Sequence, residues 1–270
     1  MPIAEVNGTK LYYTLEGDSG EPLVFVHGSW GDHHNWDLVA PRLAERFRVV
    51  SYDRRGHSQS TGPPEKGTVH DDVADLAALI EDLDLAPANV AANSFGTCIS
   101  LRLVTERPDL VRRLAGHEPP MVGALAGDPA MQPLLTALQE RIGRVVGLLE
   151  AGRNAEAAEQ FVENVGLGPG AWTLLPEPVK ATFVTNAGTF LGETRDPDSL
   201  TIDLAALPQY SGPLLLSIGN QSPPMFAPVV EKLASARGDV RRHTFAGAGH
   251  VPHQTHPDDY VRVVGAFLSE

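Results

Sequence analysis

The sequence predicts an α/β fold in which a mostly parallel sheet is covered by helices on both faces. Short, continuously apolar runs alternate with segments whose apolar residues recur every three or four positions. Strands that are apolar throughout are typical of parallel sheets, because helices bury both of their faces. One long interval, 121–207, breaks the alternation with helical segments alone. This interval predicts a helical insertion between two strands of the sheet.

Seven strands and five helices are predicted from the apolar patterns. The predicted strands cover residues 11–13, 23–26, 47–52, 90–92, 111–116, 213–218 and 240–245. The predicted helices cover residues 36–45, 69–83, 95–107, 228–236 and 257–268. Within 69–83, Val69, Val73, Leu76 and Ile80 lie three or four positions apart, as one buried helix face requires.

The interval 121–207 is predicted to be a helical cap. Its helical stretches cover residues 131–149, 154–165 and 178–191, and Gly and Pro residues separate them. We expect this insertion to lie over the carboxyl edge of the sheet, where open α/β sheets bind their ligands. The predicted organisation is an α/β core formed by residues 1–120 and 208–270, with the cap at 121–207.

The composition limits the partners and the compartment. The formal net charge is −13 and no basic face is evident, so we expect neither nucleic acid nor an anionic membrane as a partner. The single cysteine, Cys98, fits a small buried packing residue and a reducing compartment. The chain shows no apolar signal segment at its N-terminus and no run near the ~18 apolar residues that span a bilayer. We expect a cytoplasmic monomer or homodimer that acts on a small molecule.

Ser94 is the first candidate catalytic residue. A strand-like run ends at Asn93 and a helix-like segment begins at Phe95, so only a very tight turn can join them. Such a turn lifts its apex residue onto a strained backbone position and aims the side chain at a reaction centre. The close approach of strand and helix requires small neighbours, a need that Gly96 meets fully and Ala92 almost, so the usual pattern G-x-S-x-G reads A-x-S-x-G here. A serine before a helix is also a common N-cap, so both interpretations stay open here.

A serine nucleophile requires a general base, and His250 is the best placed of the ten histidines. It follows the last predicted strand, at the edge of the sheet where Ser94 also emerges. Local roles in loops, caps or helix starts fit six other histidines better: His33, His34, His57, His70, His253 and His256.

The negative oxygen that forms during acyl transfer requires N–H donors. One commonly follows the nucleophile and another comes from the loop after an early strand. Phe95 fits the first position. Gly28 permits a sharp bend after the strand at 23–26, and Ser29 is placed to present its N–H. An ordinary glycine turn is the alternative interpretation of this loop.

Together these motifs resemble the α/β-hydrolase family over nearly the whole chain. The resemblance rests on His27-Gly28, on residues 52–58 (YDRRGHS), on residues 93–96 (NSFG) and on Gly249-His250. The nucleophile precedes the histidine, as in that family. The resemblance implies a serine–histidine mechanism, and it implies that the turn at 53–58 marks the fold and is not catalytic.

The catalytic acid departs from the commonest pattern of the family. Many members place an Asp after the penultimate strand, where this chain has Ser222, and a serine cannot carry the charge that stabilises an imidazolium. The strand before the predicted cap ends in residues 117–120 (HEPP). Glu118 is similar in placement to the acid of one haloalkane dehalogenase subgroup and of zearalenone-type lactone hydrolases. The resemblance therefore implies that Glu118 completes the triad, with a hinge or cap-contact role as the alternative.

The resemblance predicts a serine hydrolase that uses neither a cofactor nor a metal. A serine nucleophile argues against epoxide hydrolases and dehalogenases, which need an aspartate. We expect hydrolysis of an ester or lactone of a moderately hydrophobic small molecule that the cap encloses. Trp30 and Trp172 are candidate substrate contacts, with packing as the alternative for each. Carbon–carbon bond hydrolysis, cofactor-free oxygenation and a non-catalytic ligand-binding role remain alternatives, because a fold does not determine its substrate.

Overall fold

A computed structural model describes residues 2–62 and 67–270 of the chain. Its centre is an eight-stranded sheet with the order β1-β2-β4-β3-β5-β6-β7-β8. The strands are β1 (Ile3–Val6), β2 (Thr9–Glu16), β3 (Glu21–Val26), β4 (Phe47–Tyr52), β5 (Ala88–Asn93), β6 (Val111–His117), β7 (Leu214–Gly219) and β8 (Arg241–Phe245). The predicted α/β fold with a mostly parallel sheet is therefore confirmed.

The strand order places a switch point beside the candidate nucleophile. Strands β1 and β2 pair antiparallel at one edge, and the other six strands are parallel. From β3 the chain crosses to β4 on one side, and β5 pairs with β3 on the other. Ligands of open α/β sheets bind where the strand order reverses in this way. The loop after β3 and the turn after β5 both emerge at this point.

Helices cover both faces of the sheet, as predicted. They are α1 (Ala40–Leu43), α2 (Val69–Asp82), α3 (Phe95–Glu106), α4 (Gln132–Glu150), α5 (Asn154–Phe161), α6 (Ala171–Leu174), α7 (Glu177–Asn186), α8 (Thr189–Arg195), α9 (Phe226–Arg237), α10 (Pro252–Thr255) and α11 (Pro257–Leu268). Leu76, Ile99 and Val229 from α2, α3 and α9 belong to the apolar core on one face. Leu43 and Phe267 from α1 and α11 belong to the core on the other face.

The interval 121–207 contains helices and turns without a strand, as the sequence predicts. A third apolar cluster joins these helices to the core, and it includes Leu138, Val145 and Phe190 from the interval with Trp30 and Phe226 from outside it. The division of the chain at 120/121 and 207/208 stays a prediction. Among the described residues, no helix combines the length and apolar character needed to cross a membrane.

Two predicted helices differ in extent, and one strand lies outside the predictions. The predicted helix 36–45 is replaced by a 3-10 turn at His33–Trp36 and the short helix α1. Pro41 explains the break, because a proline inside a helix lacks the N–H for one hydrogen bond and clashes with the preceding turn. The predicted helix 178–191 is divided at Gly188 into α7 and α8. The four-residue edge strand β1 is not predicted, because so short a run carries little apolar pattern.

Candidate active site

Ser94 lies in the turn between β5 and α3 and is held in a strained conformation. Its φ of 55° and ψ of −126° are rare for a residue with a side chain. Its N–H donates to the His117 carbonyl at 2.8 Å, which fixes the turn. A Cβ at Gly96 would lie 2.3 Å from the Val26 carbonyl oxygen, so only glycine fits there. Among the described residues, the Ser94 hydroxyl makes no capping hydrogen bond to α3, which argues against a simple N-cap role.

His250 and Glu118 form a buried pair at the same edge of the sheet. Glu118 directly follows β6, and its Oε2 accepts a hydrogen bond of 2.6 Å from His250 Nδ1. Its Oε1 accepts from the Gly219 N–H at 2.6 Å, so both carboxylate oxygens are engaged. The proton on Nδ1 leaves His250 Nε2 free to accept one, as a general base must. The His250 ring stacks on Phe226 with ring centroids 4.5 Å apart, which restricts its rotation.

The electrostatics keep Glu118 ionised. Burial alone would raise the pKa of this fully buried carboxyl, but the hydrogen bond from His250 holds its pKa below the usual value. The neighbouring His117 is fully buried, and burial lowers its pKa to about 4. His117 is therefore neutral at pH 7, and Glu118 carries the negative charge that would stabilise a His250 imidazolium.

Ser94 and His250 line one cavity. Within residues 2–62 and 67–270, no hydrogen bond joins the Ser94 hydroxyl to the His250 ring. Contacts between nucleophile and base are often long in substrate-free enzymes and shorten when substrate binds. The Asn93 side-chain amide donates to the His250 carbonyl at 2.9 Å, so the loop that carries His250 is tied to the end of β5 beside Ser94.

Hydrogen bonds orient the peptide between Gly28 and Ser29. The Gly28 carbonyl accepts from His27 Nδ1 at 2.8 Å and from Arg54 Nη1 at 3.3 Å. His27 Nε2 accepts from the Arg54 N–H at 2.9 Å, so the His27 proton must be on Nδ1. Because the carbonyl and N–H of a trans peptide point in opposite directions, the Ser29 N–H is directed away from His27 and Arg54.

The two predicted oxyanion donors, Ser29 and Phe95, flank Ser94. A Cβ at Gly28 would lie only 2.8 Å from the Ser94 Cβ, so the loop approaches Ser94 as closely as a glycine permits. Phe95 is the first residue of α3, and the N–H groups of a first helical turn have no partner within the helix. Among the described residues, the Ser29 N–H also makes no hydrogen bond. Their role as oxyanion donors stays a prediction that this geometry allows.

An apolar cavity of about 150 Å³ adjoins Ser94. Its wall comes mainly from the helices of 121–207 and includes Leu138, Ile142, Phe161 and Phe190. A smaller cavity of about 40 Å³ also adjoins Ser94, and the two cavities share Ser29, Ser94, Phe161, Gly166 and His250. Ser94 therefore lies where the two spaces meet.

The predicted substrate contacts Trp30 and Trp172 do not line this cavity among the residues described. Trp30 is fully buried behind the wall, with its ring centroid 4.9 Å from that of Phe161 and 5.2 Å from that of Phe190. The Lys180 ammonium lies over the Trp172 ring, 5.7 Å from the ring centroid. The packing alternative therefore describes both residues as the structure places them. Leu138, Ile142 and Phe161 in the wall were not singled out from the sequence.

A family model described as the alpha/beta hydrolase family matches residues 23–263. The chain belongs to this family. The match includes the turn with Ser94, the end of β6 with Glu118, and the loop with His250. The resemblance stated from the sequence is thereby confirmed for the fold and the family.

Curated relatives match the chain over different lengths. The chain is 26% identical over 263 residues to the sn-1-specific diacylglycerol lipase ABHD11 of Mus musculus, a match that covers 96% of this chain and 84% of the lipase. It is 37% identical over 113 residues to the dihydrolipoyllysine-residue acetyltransferase component of the acetoin cleaving system of Pseudomonas putida. That second match covers 42% of this chain and only 30% of the relative.

Solved structures of alpha/beta hydrolases superpose on nearly the whole chain. An alpha/beta hydrolase from Sphaerobacter thermophilus is 29% identical, with a TM-score of 0.81, and the match covers 98% of this chain and 99% of that one. The enol-lactonase from Burkholderia xenovorans is 23% identical, with a TM-score of 0.67 and full coverage of both chains. The second likeness is too distant in sequence to show more than the shared fold.

Ser222 occupies the position where many alpha/beta hydrolases carry their acid. Its buried hydroxyl lies close enough to Glu118 to favour the carboxylate, although no hydrogen bond of normal geometry joins them among the described residues. Glu118 follows β6 and Ser222 follows β7. The Glu118 carboxylate therefore lies near the space that an Asp side chain at position 222 would occupy. The role of Glu118 as the acid stays a prediction that this juxtaposition allows.

A second buried cluster of titratable residues consists of Asp32, His33 and Asp53. Asp53 Oδ1 accepts from the His33 N–H at 2.9 Å and from His33 Nδ1 at 2.6 Å, and Asp53 Oδ2 accepts from the Gln59 N–H. The Asp32 carboxylate accepts from the His34 N–H and the Ser58 hydroxyl. All four carboxylate oxygens thus have donors, and the cluster ties together the loops that follow β3 and β4.

Proposed function

We propose that this alpha/beta hydrolase is a serine hydrolase that cleaves an ester or lactone of a moderately hydrophobic small molecule. Ser94 would be its nucleophile, His250 its general base and Glu118 its acid. The observation that carries the proposal is the strained Ser94 at the switch point, beside a buried His250–Glu118 pair joined at 2.6 Å. This combination costs stability and matches the requirements of acyl transfer to a serine.

In the proposed first step, His250 Nε2 takes the proton of the Ser94 hydroxyl while Oγ attacks the substrate carbonyl. The Ser29 and Phe95 N–H groups donate to the negative oxygen of the tetrahedral intermediate, and each such donor typically contributes ~2.7–4 kcal/mol to transition-state stability. The ionised Glu118 holds the imidazolium in place without taking its proton. His250 then protonates the departing alkoxide, and an acyl group remains on Ser94.

In the second step, His250 takes a proton from water, and the resulting hydroxide attacks the acyl carbonyl. As the tetrahedral intermediate collapses, His250 returns that proton to Ser94 Oγ, and the carboxylic acid is released. A lactone follows the same two steps, except that its alcohol stays attached to the acyl group. The chain supplies every proton transfer in this sequence through one histidine.

The cavity supports a small, largely apolar substrate. A volume of about 150 Å³ walled by Leu138, Ile142, Phe161 and Phe190 accommodates a short acyl chain or a ring, whereas a long chain would have to extend through an opening. Among the similar proteins, the diacylglycerol lipase acts on an ester and the enol-lactonase on a lactone, as their names state. These names favour a carbonyl–oxygen bond as the bond cleaved.

The proposal is tested with p-nitrophenyl esters of graded chain length, followed by small and macrocyclic lactones. We expect hydrolysis of a short ester or a lactone, and a loss of at least about 1,000-fold in kcat for Ser94→Ala. Ser100→Ala is the matched control, because Ser100 lies on the same helix and its hydroxyl donates to the Gly96 carbonyl, away from the cavity. Activity only on diketones would favour carbon–carbon bond hydrolysis, and no turnover of any carbonyl compound would favour the ligand-binding alternative.

A further inference from the structure

A buried polar network connects helix α8, in the predicted cap, to the loop that carries Ser29. Glu193 on α8 accepts a hydrogen bond of 2.5 Å on Oε2 from the Ser29 hydroxyl. Its Oε1 accepts from Arg54 Nη1 at 3.0 Å and from Arg54 Nη2 at 3.1 Å. Ser29 and Glu193 both line the cavity beside Ser94. The network is therefore part of the wall that a substrate would touch.

Arg54 extends the network to the peptide that presents the predicted oxyanion donor. Its Nη1 donates both to Glu193 Oε1 and to the Gly28 carbonyl, at 3.0 and 3.3 Å. Asp72 on α2 holds the other side of the guanidinium through bonds of 3.1 and 2.8 Å. The Arg54 guanidinium is 2% exposed and Glu193 is 9% exposed, so neither charge has ready access to water as an alternative partner. Moving either group away would leave a buried charge with fewer partners.

Glu193 thus acts on both sides of the Gly28–Ser29 peptide bond. It holds the Ser29 side chain directly, and it holds the Gly28 carbonyl through Arg54. The orientation of a peptide plane sets the direction of its N–H, so these contacts determine where the Ser29 N–H points. Asn186, at the end of α7, also donates to the Gly31 carbonyl at 2.8 Å, so the interval 121–207 contacts the loop at two places.

We propose that Glu193 is a positioning residue that couples the seating of α8 to the alignment of the oxyanion donor on Ser29. The proposal rests on the proposed function. When α8 is seated, the Ser29 N–H faces the space beside Ser94, and a bound carbonyl is polarised. When α8 moves away, the Ser29 hydroxyl and the Arg54 guanidinium lose their shared partner, and the donor loses its alignment. Hydrolysis is thereby restricted to the state in which the helix covers the substrate.

Ser29→Ala tests this coupling with little risk to folding, because it keeps the backbone N–H and removes only the hydroxyl that reaches Glu193. Loss of a whole oxyanion donor costs about 100- to 1,000-fold in kcat, so a donor that is present but less well aligned should cost about tenfold. We expect kcat for a short p-nitrophenyl ester to fall by about that factor, with KM within about threefold. The inhibition constant of a trifluoromethyl ketone, which forms a tetrahedral adduct, should rise by the factor by which kcat/KM falls.

Glu193→Gln gives the second variant, and the double variant with Ser29→Ala completes a cycle. We expect the double variant to be no slower than Glu193→Gln alone, because both changes remove the same alignment. His70→Gln is the control, since His70 contacts Asp198 of the interval at 3.1 Å on the surface and lines no part of the cavity. It removes a contact to the same helical interval and should leave kcat and the ketone affinity unchanged.

An unchanged kcat and ketone affinity in Ser29→Ala would overturn the coupling. A double variant whose loss in kcat equals the product of the two single losses would overturn it as well. A rise in KM alone would equally overturn it, because that result indicates a substrate contact and not alignment of the donor. If the wild-type protein hydrolyses no ester or lactone, the proposed function itself fails. The two failures are thus separated by the wild-type rate.

Discussion

Replacing Glu118 with Gln removes one negative charge at 2.6 Å from the His250 ring while keeping the size of the side chain. In the wild type, the carboxylate stabilises the imidazolium that forms in the transition state. Two unit charges about 4 Å apart interact by about 4 kcal/mol at an effective dielectric constant of 20. Even partial loss of this interaction, about 2.7 kcal/mol, corresponds to about a 100-fold slower reaction.

The second contact of Glu118 increases the expected loss. The Gly219 N–H donates to Oε1 at 2.6 Å, so a Gln at 118 would place its amide oxygen toward Gly219 and its NH2 group toward His250. His250 Nδ1 would then have to accept a hydrogen bond, and its proton would move to Nε2, the atom that must accept the Ser94 proton. A wrong tautomer of this kind lowers kcat by about 10,000-fold in a related triad. We therefore expect a loss between about 100- and 10,000-fold.

The assay is the steady-state hydrolysis of a short p-nitrophenyl ester from pH 5 to pH 9, with thermal unfolding as a check of the fold. Ser222→Ala is the control, because Ser222 occupies the common acid position but carries no charge. It should keep kcat within about threefold, since a poorly aligned hydrogen bond contributes little. A Glu118→Gln variant within tenfold of the wild type would refute the acid assignment, as would a 100-fold loss in Ser222→Ala.

Three further predictions follow from packing and burial. Gly96→Ala places a Cβ 2.3 Å from a carbonyl oxygen, so we expect the free energy of unfolding to fall by more than about 2 kcal/mol. Gly143→Ala is the control: Gly143 lies within α4, no atom lies within 4 Å of an added Cβ there, and the change should be neutral or stabilising. Leu138→Trp narrows the cavity of about 150 Å³, so KM for a longer-chain ester should rise about tenfold while a short ester is unaffected. Burial holds the pKa of His253 in the folded protein well below its usual value. Below about pH 6.5 the unfolded chain therefore binds a proton on His253 that the folded protein does not bind. The free energy of unfolding should then fall with falling pH by up to about 1.4 kcal/mol per pH unit. His253→Phe should reduce that slope.

Each of these three has a clear contrary result. Equal stability changes at both glycine positions, measured by urea unfolding, would contradict the close-approach argument. A uniform loss of activity across ester lengths in Leu138→Trp would show that the cavity does not select by size. An unfolding free energy with the same pH slope from 7.5 to 5 in His253→Phe would show that His253 is not held neutral by the fold.

The positions of Ser94, Glu118 and His250 at the sheet edge could be predicted because each directly follows a strand or tight loop with a recognisable apolar pattern. Parallel strands end at one edge, so residues that follow β5, β6 and β8 must lie near one another. The sequence therefore indicated both the edge and the residues on it. Pro41, which divides a predicted helix, is also visible in the sequence.

The cavity wall and Glu193 could not be predicted in the same way. Trp30 directly follows Ser29 in the sequence, but its backbone φ of 66° and its packing against Phe161 turn it away from the cavity. Glu193 carries no local motif, and its partners Ser29 and Arg54 lie 164 and 139 residues away in the chain. Only the docking of α8 brings these residues together, and a periodic pattern records which face of a helix is apolar but not which residue it meets.

Covalent labelling of the protein by a fluorophosphonate, mapped by peptide mass spectrometry, tests the central claim most directly. Such a probe reacts with a serine that an adjacent base activates. The account predicts one adduct, on the peptide that contains Ser94, with its formation greatly slowed in His250→Gln and Glu118→Gln. An unlabelled Ser94 in the folded wild-type protein, or equal labelling in all three proteins, would contradict it.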